Sequence, residues 1–188
     1  MEIRLKDVKV GEQFTLGYNK YTKLDENGYC LLDEYDEDVP NWAKFQSFDG
    51  KNDCSNDFER STIKEFINSD YFWNDVLQIV PKKVTLLSIE EFEEYKDIIK
   101  PYNTAYWLRT SHPEFIGYAM LVKSSGYADY CDVNDSFGVR PAVYLTQDYY
   151  VRVDNADEIR ELQKQIDVLQ KRIEELKWAY GIKQLIWK

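Results

Sequence analysis

The sequence predicts an α+β body of antiparallel strands with two helices, followed by a coiled-coil helix. Three observations predict it. Apolar and polar residues alternate near both ends of residues 1–150, two intervening stretches switch to helical spacing, and residues 151–188 carry a heptad seam.

At the start, residues 1–24 alternate through Val8, Val10, Phe14 and Leu16, and the turn dipeptide Asn27-Gly28 precedes Tyr29-Cys30-Leu31-Leu32. This is the pattern of two or three short strands in a hairpin. An acidic loop, Asp33 to Asp38, ends at Pro40. From Ser55 the period changes: Phe58, Ile63, Phe66 and Ile67 form one helical stripe, with Ser55, Asn56 or Asp57 as the cap and an end near Asn68. Val84 to Leu87 is a short strand. Ser88-Ile-Glu-Glu91 is a capping box that opens a second helix with Phe92, Tyr95, Ile98 and Ile99 at helical spacing, stopped by Pro101.

Strand signals return in Tyr106–Thr110, Tyr118–Lys123, Tyr127–Val133 and Val139–Leu145, separated by Gly117, Ser124-Ser-Gly126 and Asn134 to Gly138. These breaks predict an antiparallel meander. Pro141 cannot donate to a ladder, so its strand is expected at an edge or bulged there.

Charge divides the chain. Against 34 acidic residues stand 24 Lys and Arg, a net charge of −10, which excludes a basic surface that grips nucleic acid through its phosphates. Residues 151–188 carry eight basic and seven acidic side chains, while residues 25–59 carry eleven acidic ones against Lys44 and Lys51. A body of residues 1–150 and a helical segment of residues 151–188 are therefore expected. No apolar run approaches the roughly 20 residues of a membrane span, and the N-terminus lacks the apolar core of a secretory signal. A cytoplasmic protein is expected, with no membrane partner and no direct nucleic-acid contact.

Cys30, Cys54 and Cys131 are widely spaced with no C-x-x-C, and read as small buried side chains rather than metal ligands. His112 is the sole histidine, so any Cys-His or Ser-His-Asp centre must use it, and neither a nucleophile elbow nor a glycine-rich phosphate loop accompanies it. The expectation is a protein that acts by binding, with no catalytic residue, cofactor or metal.

The tail places Ile159, Leu162, Ile166, Leu169, Ile173, Leu176 and Tyr180 at alternating spacings of three and four. Ile at a and Leu at d make a coiled-coil seam, so a homo-oligomer, a dimer first of all, is expected through residues 157–180. In parallel register Arg172 faces Lys177. An antiparallel pairing centred between Ile166 and Leu169 relieves that repulsion and brings Glu158 near Arg172 of the second chain. Beyond Gly181, Ile182, Leu185, Ile186 and Trp187 continue an apolar face with Trp178.

Several residues are candidates for contact. Trp107 and Arg109 lie two apart on one strand, where a guanidinium can cover an indole, and Arg140 in the last strand can approach them. Both arginines can equally tie the sheet to loop carbonyls or buried carboxylates. Asn134 and Asp135 sit in a loop of the kind that touches ligands, although Asn-Asp-Ser-Phe-Gly is also ordinary turn chemistry. Tyr118, Tyr127, Tyr130, Tyr149 and Tyr150 can form an aromatic recognition surface. Asp33, Glu34, Asp36, Glu37 and Asp38 form an acidic surface that either solvates the protein or imitates a run of phosphates before a basic partner.

These segments resemble an uncharacterised domain family of bacteria and phages, common in Firmicutes and their prophages, over about residues 8–146. The resemblance rests on Val10-Gly-Glu-Gln-Phe-Thr-Leu-Gly17, on Ser55 to Asn68, on Val84 to Glu91, on Trp107-Leu-Arg-Thr110 and on Gly138-Val-Arg-Pro-Ala-Val-Tyr-Leu145. The closing W-L-R…G-V-R-P pattern is also similar to C-type-lectin-like folds of the formylglycine-generating-enzyme and phage variable-protein kind. The chain lacks their Glu-Pro-Asn calcium motif and their paired catalytic cysteines. The resemblance implies a lectin-like binding scaffold of phage or prophage origin, in the host cytoplasm or on the virion, with a protein partner. Its contact face would be the loops near Trp107, Arg109, Asn134, Asp135 and Arg140. The acidic segment implies an alternative: an inhibitor of a nucleic-acid-binding defence protein, in the manner of anti-CRISPR proteins.

Overall fold

The computed structural model describes residues 1–50, 55–153, 165, 166 and 168–176. It divides into two compact units, Met1–Val153 and Asp154–Lys188. The body ends three residues beyond 150 because a last strand, not predicted from sequence, joins its sheet.

In chain order the body comprises β1 (Glu2–Arg4), β2 (Gln13–Leu16), β3 (Asn19–Lys23), β4 (Tyr29–Glu34), α1 (Asn41–Lys44), β5 (Phe45–Ser47) and α2 (Thr62–Ile67). It continues with β6 (Lys83–Thr85), α3 (Ile89–Tyr95), β7 (Tyr106–Ser111), β8 (Tyr118–Val122), β9 (Ala128–Asp132), β10 (Ser136–Gly138), β11 (Ala142–Tyr144) and β12 (Tyr150–Val153). Helical turns at Leu5–Asp7, Phe58–Arg60 and Phe72–Leu77 complete it. This is a mixed α+β fold with few helices. One sheet has the order β1-β12-β2-β3-β4-β11-β6 and the other β5-β10-β7-β8-β9. Every pairing is antiparallel except β10 with β7.

The predicted hairpin is β2-β3-β4. At its tight turn Asp25 Oδ1 accepts from the N–H groups of Asn27 and Tyr29 at 2.8 Å each. Gly28 has φ +88°, and a Cβ there would meet the Leu145 carbonyl oxygen at 2.6 Å, so the turn and its contact with the end of the last signature segment both demand glycine. The meander β7-β8-β9 forms as expected. The fourth predicted strand does not continue it. Val139–Leu145 breaks at Pro141: β10 pairs with β5 and β7, and β11 crosses to the other sheet between β4 and β6. Pro141, lacking an N–H, sits between the two strands rather than at an edge, and its carbonyl accepts from Leu32 N–H.

Two hydrophobic clusters share the central strands. Cys30, Leu32, Trp107 and Val143 enter one, whereas Tyr29, Leu31, Tyr106, Leu108 and Ala142 enter the other. Period-two alternation thus divides the buried parts of β4, β7 and β11 between two cores.

The helices α2 and α3 follow their caps. The Ser88–Glu91 capping box is present in both directions, with Glu91 N–H to Ser88 Oγ at 3.1 Å and Ser88 N–H to Glu91 Oε2 at 2.9 Å. The stretch predicted as one helix from Ser55 to Asn68 is instead a turn capped by Asp57 and a separate helix capped by Ser61. The Ser61 hydroxyl donates to Phe58 O and accepts from Lys64 N–H, so one side chain ends the turn and starts the helix.

In the second unit, the described residues 165, 166 and 168–176 are helical, and Ile166, Leu169, Ile173 and Leu176 are exposed. Ile159, Leu162, Tyr180 and the run after Gly181 lie outside the described residues, as does Cys54. Among the described residues no helix is long and apolar enough to cross a membrane.

Candidate functional site

The structure separates the predicted contact residues into three settings. Arg109, near the end of β7, faces the capping residue of α3. Its Nη1 and Nη2 donate to Glu91 Oε2 and Oε1 at 2.6 and 2.8 Å, and Nη1 also donates to Leu86 O at 2.5 Å. Glu91 Oε2 further accepts from the Tyr29 hydroxyl at 3.0 Å. One carboxylate therefore caps a helix, holds an arginine by a planar fork and orients a tyrosine. The pair is half-buried and lines a cavity of about 280 Å³ with Lys64, Lys83, Thr85 and Tyr144.

Burial pushes the Glu91 carboxyl up, but the Arg109 fork, the Ser88 N–H, the Arg109 charge and the Tyr29 hydroxyl outweigh it and leave the group below its ordinary value. A depressed folded value means that the stabilisation is complete above the ordinary glutamate pKa of about 4.3 and is lost as pH falls through the folded one. Urea midpoints for Glu91→Gln are expected below wild type at neutral pH and to converge on it in acid. A gap that stays constant with pH would contradict this assignment.

Trp107 and Arg109 do not form the expected pair. The β7-β8 register shifts between Trp107 and Ser111, so the rule that residues two apart share a face is broken across it. Trp107 is fully buried, with its ring edge-on to Phe48 and Phe137 and its Nε1 donating to Gln46 O at 2.9 Å. It holds β5 and β10 against β7 and is not a surface contact.

Arg140 is 1 % exposed. Nη2 donates to Asp33 Oδ1 at 2.8 Å and to Lys100 O at 3.0 Å, and Nε donates to Leu32 O at 2.8 Å. The guanidinium carbon lies 4.9 Å from the Tyr102 ring centre and 5.1 Å from that of Tyr106. Asp33 completes its coordination by accepting from Gln13 Nε2 and Thr22 Oγ1 at 2.7 and 2.6 Å. Arg140 is thus a tie between sheet and loop. Asp33 is buried as well and leaves the acidic surface, which retains the exposed Glu34, Glu37 and Asp38 and the half-buried Asp36. Burial pushes the Tyr102 hydroxyl up to about 12 although Arg140 draws it down.

Asn134 and Asp135 form the tip between β9 and β10. Asp132 Oδ1 accepts from Asn134 N–H and Nδ2, each at 2.9 Å, and Asp135 Oδ2 accepts from Cys131 Sγ at 3.1 Å. These are bonds within a turn. Arg109 is tied to Glu91 and Leu86 and Arg140 to Asp33, Leu32 and Lys100, so the two arginines share no hydrogen-bond partner among the described residues. Nor does any group of three His, Cys, Asp and Glu among them stand in a metal-holding arrangement.

A surface that the sequence reading did not assemble lies on the meander. His112, Phe115, Tyr118 and Tyr130 form one ring cluster, with His112 centred 4.8 Å from Phe115 and 4.3 Å from Tyr130. Phe115, Ile116, Tyr118 and Tyr130 are all exposed. The loop bearing them is held from within. His112 Nδ1 accepts from the N–H groups of Glu114 and Phe115, and Asn56 Nδ2 donates to the carbonyls of His112, Phe115 and Tyr118. β9 is also an edge strand. Of the five tyrosines singled out, Tyr118 and Tyr130 belong here, whereas Tyr149 is tied through its hydroxyl to Val80 O and Tyr150 lies beneath Arg4. The missing signal was Asn56, distant in sequence, which gathers the loop. Comparison with protein-family models, with curated proteins and with solved structures finds no match to this chain.

Proposed function

We propose that the chain is a non-enzymatic binding module that captures a protein partner on the His112–Tyr130 aromatic surface and self-associates through its C-terminal heptad segment. The observation that carries this reading is the ordered, exposed ring cluster beside an open sheet edge. Rigid aromatic groups bring large contact area at low entropic cost, and an edge strand supplies unpaired main-chain groups for a partner segment. The predicted arginines support it differently: tied to Glu91 and Asp33, they stiffen the scaffold beneath the loops. The signature segments support a lectin-like scaffold of phage or prophage origin, acting in the host cytoplasm or on the virion. For the helix, exposed apolar positions at 166, 169, 173 and 176 suit a second copy of the chain.

Full-length protein and a Phe115→Ser/Tyr130→Ser variant, immobilised and compared for the host proteins they retain, test the surface. A partner kept by wild type and by Trp42→Ser, but lost at least tenfold by the double variant, is the expected result; equal retention by all three removes the reading. Light scattering of the full chain should give twice the monomer mass, and of a chain ending at Val153 the monomer mass. A second reading, an acidic mimic of nucleic acid, draws on the exposed Glu34, Glu37 and Asp38. Capture that weakens steeply with salt and is lost on charge reversal at those three positions would mark it instead.

A further inference from the structure

The cavity between the C-terminal end of α3 and the β8-β9 turn has a character opposite to that of the chain. The protein carries a net charge of −10, yet Lys96, Lys100, Lys123 and Arg140 line this space and no Asp or Glu does. Lys96 and Lys123 pair with Glu93 and Asp129, which stand outside the wall, while the Lys100 ammonium has no carboxylate partner among the described residues. At the buried end sits Arg140. Its Nε and Nη2 are engaged by Leu32 O, Asp33 and Lys100 O, and the Tyr106 hydroxyl lies against the guanidinium, so Arg140 contributes a fixed positive charge at the cavity's inner wall. Asp33 offsets much of that charge, so the Lys100 ammonium carries the larger share of the attraction for an anion.

The rest of the lining is apolar or neutral. Phe92, Ile99 and Val122 are hydrocarbon walls, Tyr102 and Tyr106 meet edge to face at 5.5 Å, and Ser124 and Ser125 bring hydroxyls to the rim. The volume is about 190 Å³, roughly six waters at about 30 Å³ each. That accommodates one tetrahedral anion and a compact apolar group.

We propose that this cavity binds a small phosphorylated compound, with the phosphate between Lys100 and Lys123 on the side where the Arg140 charge lies and its apolar part against Tyr102, Tyr106 and Phe92. The two lysines suit phosphate as mobile point charges at the rim. The site is independent of the aromatic surface on the meander, and either can fail without the other.

Calorimetric titration of the full chain with phenyl phosphate, inorganic phosphate and phenol tests it. Saturable binding of phenyl phosphate is expected, at least tenfold tighter than inorganic phosphate, with none for phenol. Lys100→Glu and Lys123→Glu, both at solvated positions, are expected to weaken it at least tenfold each with the fold intact by circular dichroism. Unchanged affinity in both variants overturns the proposal, as does inorganic phosphate binding as tightly as the ester. A general salting effect is recognised by thermal unfolding: sodium sulfate at equal ionic strength raising the midpoint as much as phenyl phosphate also overturns it.

Discussion

Arg140→Met is expected to destabilise the body by about 3–5 kcal/mol, because it leaves the Asp33 carboxylate buried without its counter-charge. Leu32 O and Lys100 O lose their donor in the same step, and the Tyr102 and Tyr106 rings lose the cation between them. For a domain of this size that corresponds to a fall of about 6–20 °C in the thermal midpoint. The decisive comparison is a cycle with Asp33→Asn. Asparagine retains an oxygen for Gln13 and Thr22 but carries no charge. Asp33→Asn should therefore cost less in the Arg140→Met background than in wild type, as the charge it removes is already unpaired. Equal costs in both backgrounds, read from urea denaturation, would show that the two side chains act independently.

Trp107→Ala is expected to cost about 3–5 kcal/mol through the cavity left in the larger core. The indole fills the space between Phe48 of the segment after β5 and Phe137 of β10, so its loss loosens both from β7. Trp107→Phe separates packing from polarity. It keeps a ring between those partners but removes the donor from Gln46 O, at a cost of about 1–3 kcal/mol. Calorimetric unfolding should therefore rank wild type, Phe and Ala in that order. A Phe variant as unstable as Ala would place the main contribution of Trp107 in its hydrogen bond.

Where the chain's order could be read in advance, the cause lay within a few residues. The Ser88–Glu91 box is complete in four positions, and the Asn27-Gly28 turn is set by Asp25 and by a glycine with positive φ. The meander of β7, β8 and β9 joins neighbours through short turns. The segment from Ser55 to Asn68 departs from a single helix for an equally local reason: apolar spacing runs through Ser61, but its hydroxyl competes for main-chain partners and divides the segment.

The candidate site was legible only as residue types. Arg109 and Arg140 fit either a structural tie or a contact role by type and position, but the partners that decide between them, Glu91 and Asp33, lie 18 and 107 residues away. The aromatic cluster depends on Asn56, whose bonds reach His112, Phe115 and Tyr118.

By itself, then, the sequence determined the α+β character, the capped helix, the turns and the strands of the meander, since propensity, capping and alternation act between residues at most four or five apart. Tertiary structure decided that β1 pairs with β12, that one predicted strand is shared between two sheets, and that Arg140 is inside. Those outcomes depend on which distant main-chain groups and charges find each other when water is excluded, and spacing along a chain carries no record of that choice.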